Sequence, residues 1–357
     1  MNYSTSQIIT LNMDVRFVIG FLLKKSDQIF DIDLFGSHQR TANKWEKLDY
    51  SRVHSENEIF LKFKKPNNFF QFKIVCHSFS LNYDDLSYVF FQPLTDVQIF
   101  KSLREKCAQF TGCVRNCAGA LEATIFAFEK LGALFKDYRI TLVESDSDDN
   151  TLTVLEALKV RNSRIDFFSL GTLKPNIENR IQRISYCRNQ LLDHITPSDS
   201  DFLIVADMDG VVSDDLTIES FISNFRFMGC WGACFPINSS FYYDLYALRS
   251  AEIAPTDPIG KLNQIEYVWG ERNAKILTSE PLQKVRFQDL KGWLEVDSAF
   301  GGMGVYCTDI IKAARYSAVG HDVLECEHVG FHTAIKRQSD TRFFINPNFV
   351  VNNNNGI

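Results

Sequence analysis

The stretch Asp201-Phe202-Leu203-Ile204-Val205-Ala206-Asp207-Met208-Asp209-Gly210 decides how the rest of the chain is read. Residues 202–205 are four apolar side chains in a row, the pattern of a short strand buried on both faces of a parallel sheet. Open α/β sheets place their ligands at the carboxyl ends of strands, and here that end carries two carboxylates, Asp207 and Asp209. In extended backbone, residues two apart point the same way, so two negative charges converge and call for a cation. A divalent metal is the expected partner. An isolated Asp-x-Asp equally suits an acidic turn ahead of a helix N-cap, so the surrounding chain has to decide.

The 357 residues, 45% hydrophobic and 23% charged, suffice for one large domain and a smaller one. Net charge is −6 and no Lys/Arg block stands out, which removes the electrostatic footing for non-specific nucleic-acid binding. The nine cysteines form no C-x-x-C pair, so neither a zinc ribbon nor a thioredoxin-like motif is indicated, and Cys113/Cys117 and Cys230/Cys234 read as small core residues. The N-terminus lacks a basic stretch ahead of an apolar core, and residues 17–23 fall well short of the ~20 apolar residues of a membrane span. A reducing, cytoplasmic location is expected, in which the sequons at Asn2 and Asn238 are chance matches.

Residues 1–100 show aromatic-rich runs with partial alternation, at 59–64, 69–76 and 88–91, separated by Pro66-Asn67-Asn68 and Asn82-Tyr83-Asp84-Asp85. They predict a small β-rich module whose aromatics serve as sheet core, with carbohydrate binding as the alternative use. From about Lys106 strands alternate with helices, the mark of βαβ units. Strands are expected at 108–114, 139–143 and 164–168, helices at 118–135, 151–160 and 177–194, and Asp207 then closes the fourth strand.

Asp207-Met208-Asp209-Gly210-Val211-Val212 resembles motifs of two enzyme families. In haloacid-dehalogenase-type phosphatases such a stretch ends the first core strand and is joined by a Lys and a paired-acid motif. Three βα units precede it here, and Gly320-His321-Asp322 is a poor paired-acid match. The chain over about 105–350 is more similar to GT-A type glycosyltransferases, whose Asp-x-Asp holds Mn2+ or Mg2+ against a sugar-nucleotide diphosphate. That resemblance implies a Rossmann-like, mostly parallel sheet flanked by helices over 101–357, with the β-rich module at 1–100. It also implies a hexosyltransferase that moves sugar from a UDP- or GDP-sugar to a glycan or glycolipid hydroxyl, with peripheral membrane contact compatible.

The resemblance assigns residues in chain order. Val114-Arg115-Asn116 resembles the end of the first GT-A strand, placing Arg115 and Asn116 beside the nucleotide, and Glu144 and Asp146 resemble the acids that contact base or ribose. The helix Arg180 to Asn189 precedes the motif as an Arg-Asn helix does in that family. Arg180, Arg183 and Arg188 return to one face, and Arg188 is the preferred contact to the diphosphate or Asp207. Asp207 and Asp209 bind metal. Tyr243, Asp244 and Trp293 offer a carboxylate and aromatic faces for an acceptor sugar, and Gly301-Gly302 resembles the stretch lining the acceptor site. Asp244 to Arg249 reads as a strand, 251–292 as a long inserted loop, and 308–316 as a helix. The family's acidic pair is replaced by Glu327-His328, which leaves Asp297 or Glu327 as the base. His328 and His332, four apart on a helix, are candidates for a further metal ligand. Residues 342–347 resemble the family's closing strand. A phosphatase with Asp207 as nucleophile and a non-catalytic carbohydrate-binding protein are the competing functions.

Overall fold

The computed structural model describes residues 5–10, 18–24, 32–37, 45–54, 58–67, 71–76, 86–90, 92–195, 199–213, 215–251, 253–320, 323–339 and 341–352. The sequon at Asn2, the turn at 82–85, His321-Asp322 and the Asn-rich end at 353–355 lie outside them. The chain divides into two compact units, Met1–Pro93 and Leu94–Ile357.

The first unit is two antiparallel four-stranded sheets. One has the order β1-β7-β3-β4, with β1 Thr5–Thr10, β3 Ile32–Ser37, β4 Glu46–Lys47 and β7 Gln71–Cys76; the other has the order β5-β6-β2-β8, with β2 Val18–Lys24, β5 Tyr50–His54, β6 Glu58–Asn67 and β8 Leu86–Phe90. Alternation in β6 buries Ile59, Leu61 and Phe63 and leaves Glu58, Lys62 and Lys64 outside. Phe21, Phe63 and Phe72 meet with ring centroids 5.3–5.8 Å apart, so these aromatics are spent on the core.

In the second unit, α1 (Asp96–Leu103) opens with a capping box between Thr95 and Gln98. The unit is built on an eight-stranded sheet: β9 Cys107–Val114, β10 Asp137–Glu144, β11 Ile165–Ser169, β12 Phe202–Ala206, β13 Ala233–Asn238, β14 Leu294–Val296, β15 Met303–Cys307 and β18 Phe343–Val351, in the order β11-β10-β9-β12-β15-β13-β18-β14. β16 (Val319–Gly320) and β17 (Val323–Leu324) form a separate hairpin. β9 to β12 are mutually parallel, β15 runs antiparallel between β12 and β13, β13 and β18 are parallel, and β14 is an antiparallel edge. Crossovers between the parallel strands are α2 (Ala118–Gly132), α3 (Thr151–Arg161) and α4 (Arg180–His194). All five residues of β12 are buried, as their unbroken apolar run requires. This is the mostly parallel, helix-flanked α/β sheet expected from the sequence.

Three local expectations fail. Residues 245–247 form a turn, over which the Asp244 carboxylate accepts the Ala247 amide (3.3 Å), a local competitor of the ladder, and Arg249 makes an isolated antiparallel bridge to Ser298. The 251–292 insertion holds two α-helices, α6 (Pro258–Leu277) and α7 (Ser279–Gln283), and a 3-10 turn, Phe287–Asp289. Asp257 caps α6 by accepting the Ile259 amide (2.9 Å), and Pro258 occupies its first turn. The helix expected at 308–316 is a single 3-10 turn, Thr308–Ile310, followed by turns. The remaining helices are α5 (Ile218–Ile222) and α8 (Glu327–Gln338).

Candidate functional site

β12 delivers Asp207 to the carboxyl edge of the sheet. Its antiparallel neighbour β15 pairs Met303 with Ala206, so the turn just before β15 lies against the residues just after β12, and the Asp207 amide donates to the Gly302 carbonyl (2.9 Å). Gly301 and Gly302 have φ of 64° and 93°, in the left-handed region. A Cβ on Gly302 would stand 2.4 Å from Val211 Cγ1 and 2.7 Å from Tyr243 Oη, so only glycine fits. The Gly301 amide donates to Asp244 (3.0 Å), which draws the 243–244 turn into the same place. Tyr243 Oη is buried without a hydrogen-bond partner there.

Arg188 reaches this cluster from α4. Its buried guanidinium lies 3.4 Å from Asp207 Oδ1 and 3.3 Å from Glu327 Oε1, and it is faced by the rings of Phe300 (5.1 Å) and Tyr316 (5.6 Å). Glu327 opens α8, where an acid is favoured by the helix dipole. Burial pushes the Asp207 carboxyl up to about 7; Arg188 opposes the rise, while Asp209, Asp244 and Glu327 add to it. Asp244 is pushed up to about 6, again chiefly by burial, with its two backbone hydrogen bonds pulling back. Asp207, Asp244 and Glu327 thus act on one arginine, with Asp209 acting on Asp207, and the negative surplus suits a cation. The Asp207 side chain keeps 34% exposure and Asp209 is exposed, so the surplus opens to solvent.

Asp207 and Asp209 are the residues that would hold a metal. Among the described residues no three His, Cys, Asp or Glu side chains converge to enclose an ion. Two hard carboxylates on an open side fit an ion of the Mg2+ or Mn2+ kind, which is commonly held by one or two carboxylates and completed by substrate phosphates.

Several expected site residues lie elsewhere in role. His332 is fully buried, with Nδ1 2.8 Å from Ser298 Oγ and Nε2 2.9 Å from Tyr306 Oη. Both ring nitrogens are taken by hydroxyls, so it is no metal ligand. His328 is buried with its ring stacked on Phe300 (3.8 Å), and burial, then Arg188 and His332, hold it well below the usual imidazole range. It belongs to the aromatic wall around Arg188. Trp293 is likewise core, packed on Phe227 (5.2 Å) and Phe344 (5.8 Å), not a sugar platform. Asp297 is 64% exposed and paired with Lys336 Nζ (2.8 Å), apart from the carboxylate cluster.

The expected nucleotide residues sit at neighbouring strand ends, because Val114 of β9 pairs with Glu144 of β10. Asn116, at φ 51°, exchanges hydrogen bonds with Asp148 (2.6 and 2.9 Å), and Arg115 Nε donates to the Asp146 carbonyl (3.2 Å). Both side chains are exposed on this rim. Glu144 is buried with its oxygens taken by the Ser147 amide (3.0 Å) and the Ser169 hydroxyl, which makes it a loop organiser. Asp146 Oδ1 accepts the Leu173 and Lys174 amides (both 2.9 Å), and Oδ2 lies 3.7 Å from Arg183 Nε. Arg183 in turn donates to the Ile177 and Glu178 carbonyls, so it fixes the loop before α4; Arg180 is exposed. Phe300 and Tyr316, the ring walls of Arg188, had no signal in the sequence beyond Phe300's place next to Gly301.

No protein-family model matches the sequence, and no curated protein matches it. Solved structures are similar at low identity. A mannosyltransferase from Pyrobaculum calidifontis, solved with GDP-mannose and Mn2+, is 12% identical with a TM-score of 0.44, covering 70% of this chain and 57% of that one. The S. aureus TarS 1–349 structure is 10% identical with a TM-score of 0.38, over 68% of this chain and 59% of that one. A Mycobacterium tuberculosis glucosyl-3-phosphoglycerate synthase, solved with Mn2+, UDP and phosphoglyceric acid, is 10% identical with a TM-score of 0.40, over 70% and 72%. This chain therefore spans less than two thirds of the first two.

Proposed function

We propose that this chain is a metal-dependent glycosyltransferase of the GT-A kind, acting on a nucleotide-sugar donor. The observation that carries the proposal is the acidic surplus at the end of β12, where Asp207, Asp244 and Glu327 gather on Arg188 and Asp209 stands beside Asp207. It rests on this chain's own residues, not on the likenesses above. Asp207 and Asp209 hold Mn2+ or Mg2+, which when bound supplies positive charge for the diphosphate of the departing nucleotide.

The remaining roles follow from position. Arg115 and Asn116 on the rim of the β9 and β10 ends face the nucleotide, while Glu144 and Asp146 hold the loops that shape that rim. Arg188 fixes Asp207 and Glu327 relative to one another. Glu327 accepts the proton of the acceptor hydroxyl, a role for which Asp297, 64% exposed, is too far into solvent. Asp244 and the Gly301-Gly302 turn line the acceptor side, with Tyr243 beneath them. A phosphatase reading gains nothing here: Asp207 follows three parallel strands, and the cation beside it is an arginine, not a lysine.

The test is calorimetric titration of UDP- and GDP-sugars with and without Mn2+. Binding is expected only with metal and is expected to vanish in Asp209→Asn, whose exposed side chain leaves folding intact. Unchanged affinity in that variant, or rapid phosphomonoester turnover dependent on Asp207, would overturn the proposal.

A further inference from the structure

Tyr242 and Tyr243 are neighbours in the chain with opposite surroundings. Tyr242 is buried, stacks on Phe287 (4.7 Å between ring centroids) and accepts the Phe300 amide at its hydroxyl (3.4 Å). Tyr243 ends in a hydroxyl that is closed off from solvent and has no hydrogen-bond partner. A buried donor left unpaired costs stability, so this phenol calls for a state in which the bond is made. Its place in the fold says which. A Cβ on Gly302 would stand 2.7 Å from Tyr243 Oη and 2.4 Å from Val211 Cγ1, and the Gly302 carbonyl accepts the Asp207 amide (2.9 Å). The hydroxyl thus lies beside the stretch 207–211, against the turn to which Asp207 is tied. Burial, then Asp207, Asp244 and Asp209, push the Tyr243 phenol far above its ordinary range, so it stays a neutral donor among carboxylates. Asp244 already takes the Ala247 amide on Oδ1 (3.3 Å) and the Gly301 amide on Oδ2 (3.0 Å), and Asp209 is exposed to solvent, where the hydroxyl is not. The Asp207 side chain has a single hydrogen-bond partner among the described residues, Arg188 at Oδ1 (3.4 Å).

We propose that Tyr243 is a positioning residue of the metal site, whose hydroxyl donates to the Asp207 carboxylate while that carboxylate holds a divalent cation. This role rests on Asp207 and Asp209 being the metal carboxylates. Carboxylates that bind a cation are in turn hydrogen-bonded, which fixes their orientation, and such outer partners typically carry about 10- to 100-fold of the affinity. Arg188 also fixes Asp207, but as a cation it opposes the entry of another. Tyr243 offers a donor without net charge, which holds the carboxylate without repelling the ion. A nucleotide sugar is the poorer partner, because a hydroxyl closed off from solvent against Gly302 gives a ligand no approach.

The experiment titrates the full chain with Mn2+ alone, read from the paramagnetic resonance of the free ion, beside thermal unfolding without metal. Tyr243→Phe removes one oxygen that has no partner, and is expected to lower Mn2+ affinity about tenfold or more while the unfolding temperature stays the same or rises. Tyr242→Phe takes the acceptor from the Phe300 amide and is expected to do the reverse, with a lower unfolding temperature and unchanged Mn2+ affinity. Wild-type Mn2+ affinity in Tyr243→Phe overturns the proposal and leaves the metal reading in place, as does a loss confined to a nucleotide sugar titrated at saturating Mn2+. Equal loss of Mn2+ affinity in the two variants, or a Tyr243→Phe chain that unfolds at a lower temperature, overturns it as well. A wild-type chain that does not bind Mn2+ overturns the metal reading itself, and this role with it.

Discussion

Glu327 and His332 lie on one helix, five residues apart, both buried, and they stand in opposite situations. His332 has each ring nitrogen met by a hydroxyl from another element, so every polar atom it owns is satisfied inside the protein. Glu327 shares Arg188 with Asp207 in a cluster that holds more negative than positive charge. A buried titratable group with complete partners builds the fold. A cluster left with a surplus of one sign is arranged for something that is not there yet. The same α8 serves both ends.

That contrast is broken most sharply at Glu327. Glu327→Gln should leave donor and metal affinity unchanged while lowering sugar transfer by about 10²- to 10⁴-fold, the usual scale of a lost base; a large loss of donor binding instead would assign Glu327 to the donor side. Arg188→Met tests the coupling of the two carboxylates. It leaves Asp207 and Glu327 without their cation and should cost about 3–5 kcal/mol in urea unfolding, part of which Mn2+ with a nucleoside diphosphate should restore. His332→Leu strands the Ser298 and Tyr306 hydroxyls and should cost about 1–3 kcal/mol, with no change in Mn2+ affinity. Weakened metal binding in that variant would return His332 to the metal site.

The smallest expected effect is one of pH, and the two regions give it opposite signs. Asp207 and Asp244, raised to about 7 and about 6, keep protons in the folded chain that the unfolded chain has released above about 4. Their contribution therefore declines as pH rises from about 4 through 7. His328 and His332, held neutral by burial, work in reverse: unfolded imidazole gains a proton below about 6.5, so stability is lost as pH falls through that range. Urea midpoints between about pH 5 and 8 should show the alkaline decline flattened in Asp207→Asn and the acid decline flattened in His332→Leu.

What the chain alone determined was whatever rests on local order. The unbroken apolar run of β12, the carboxylates following it and the βα alternation before it are read from adjacent residues and simple periods, and the structure has them in those places; of the expected face of α4, Arg188 lies at Asp207, while Arg180 is exposed and Arg183 is taken by the Ile177 and Glu178 carbonyls. What only the tertiary structure decided was which polar groups already have partners. Ser298 and Tyr306 close off His332, Ser169 closes off Glu144, Lys336 draws Asp297 aside, and Phe227 and Phe344 enclose Trp293. Each of those partners is at least 25 residues distant in sequence. A side chain's type states which bonds it can make; whether they are already made depends on strands and helices brought together by packing, which leaves no local pattern in the sequence.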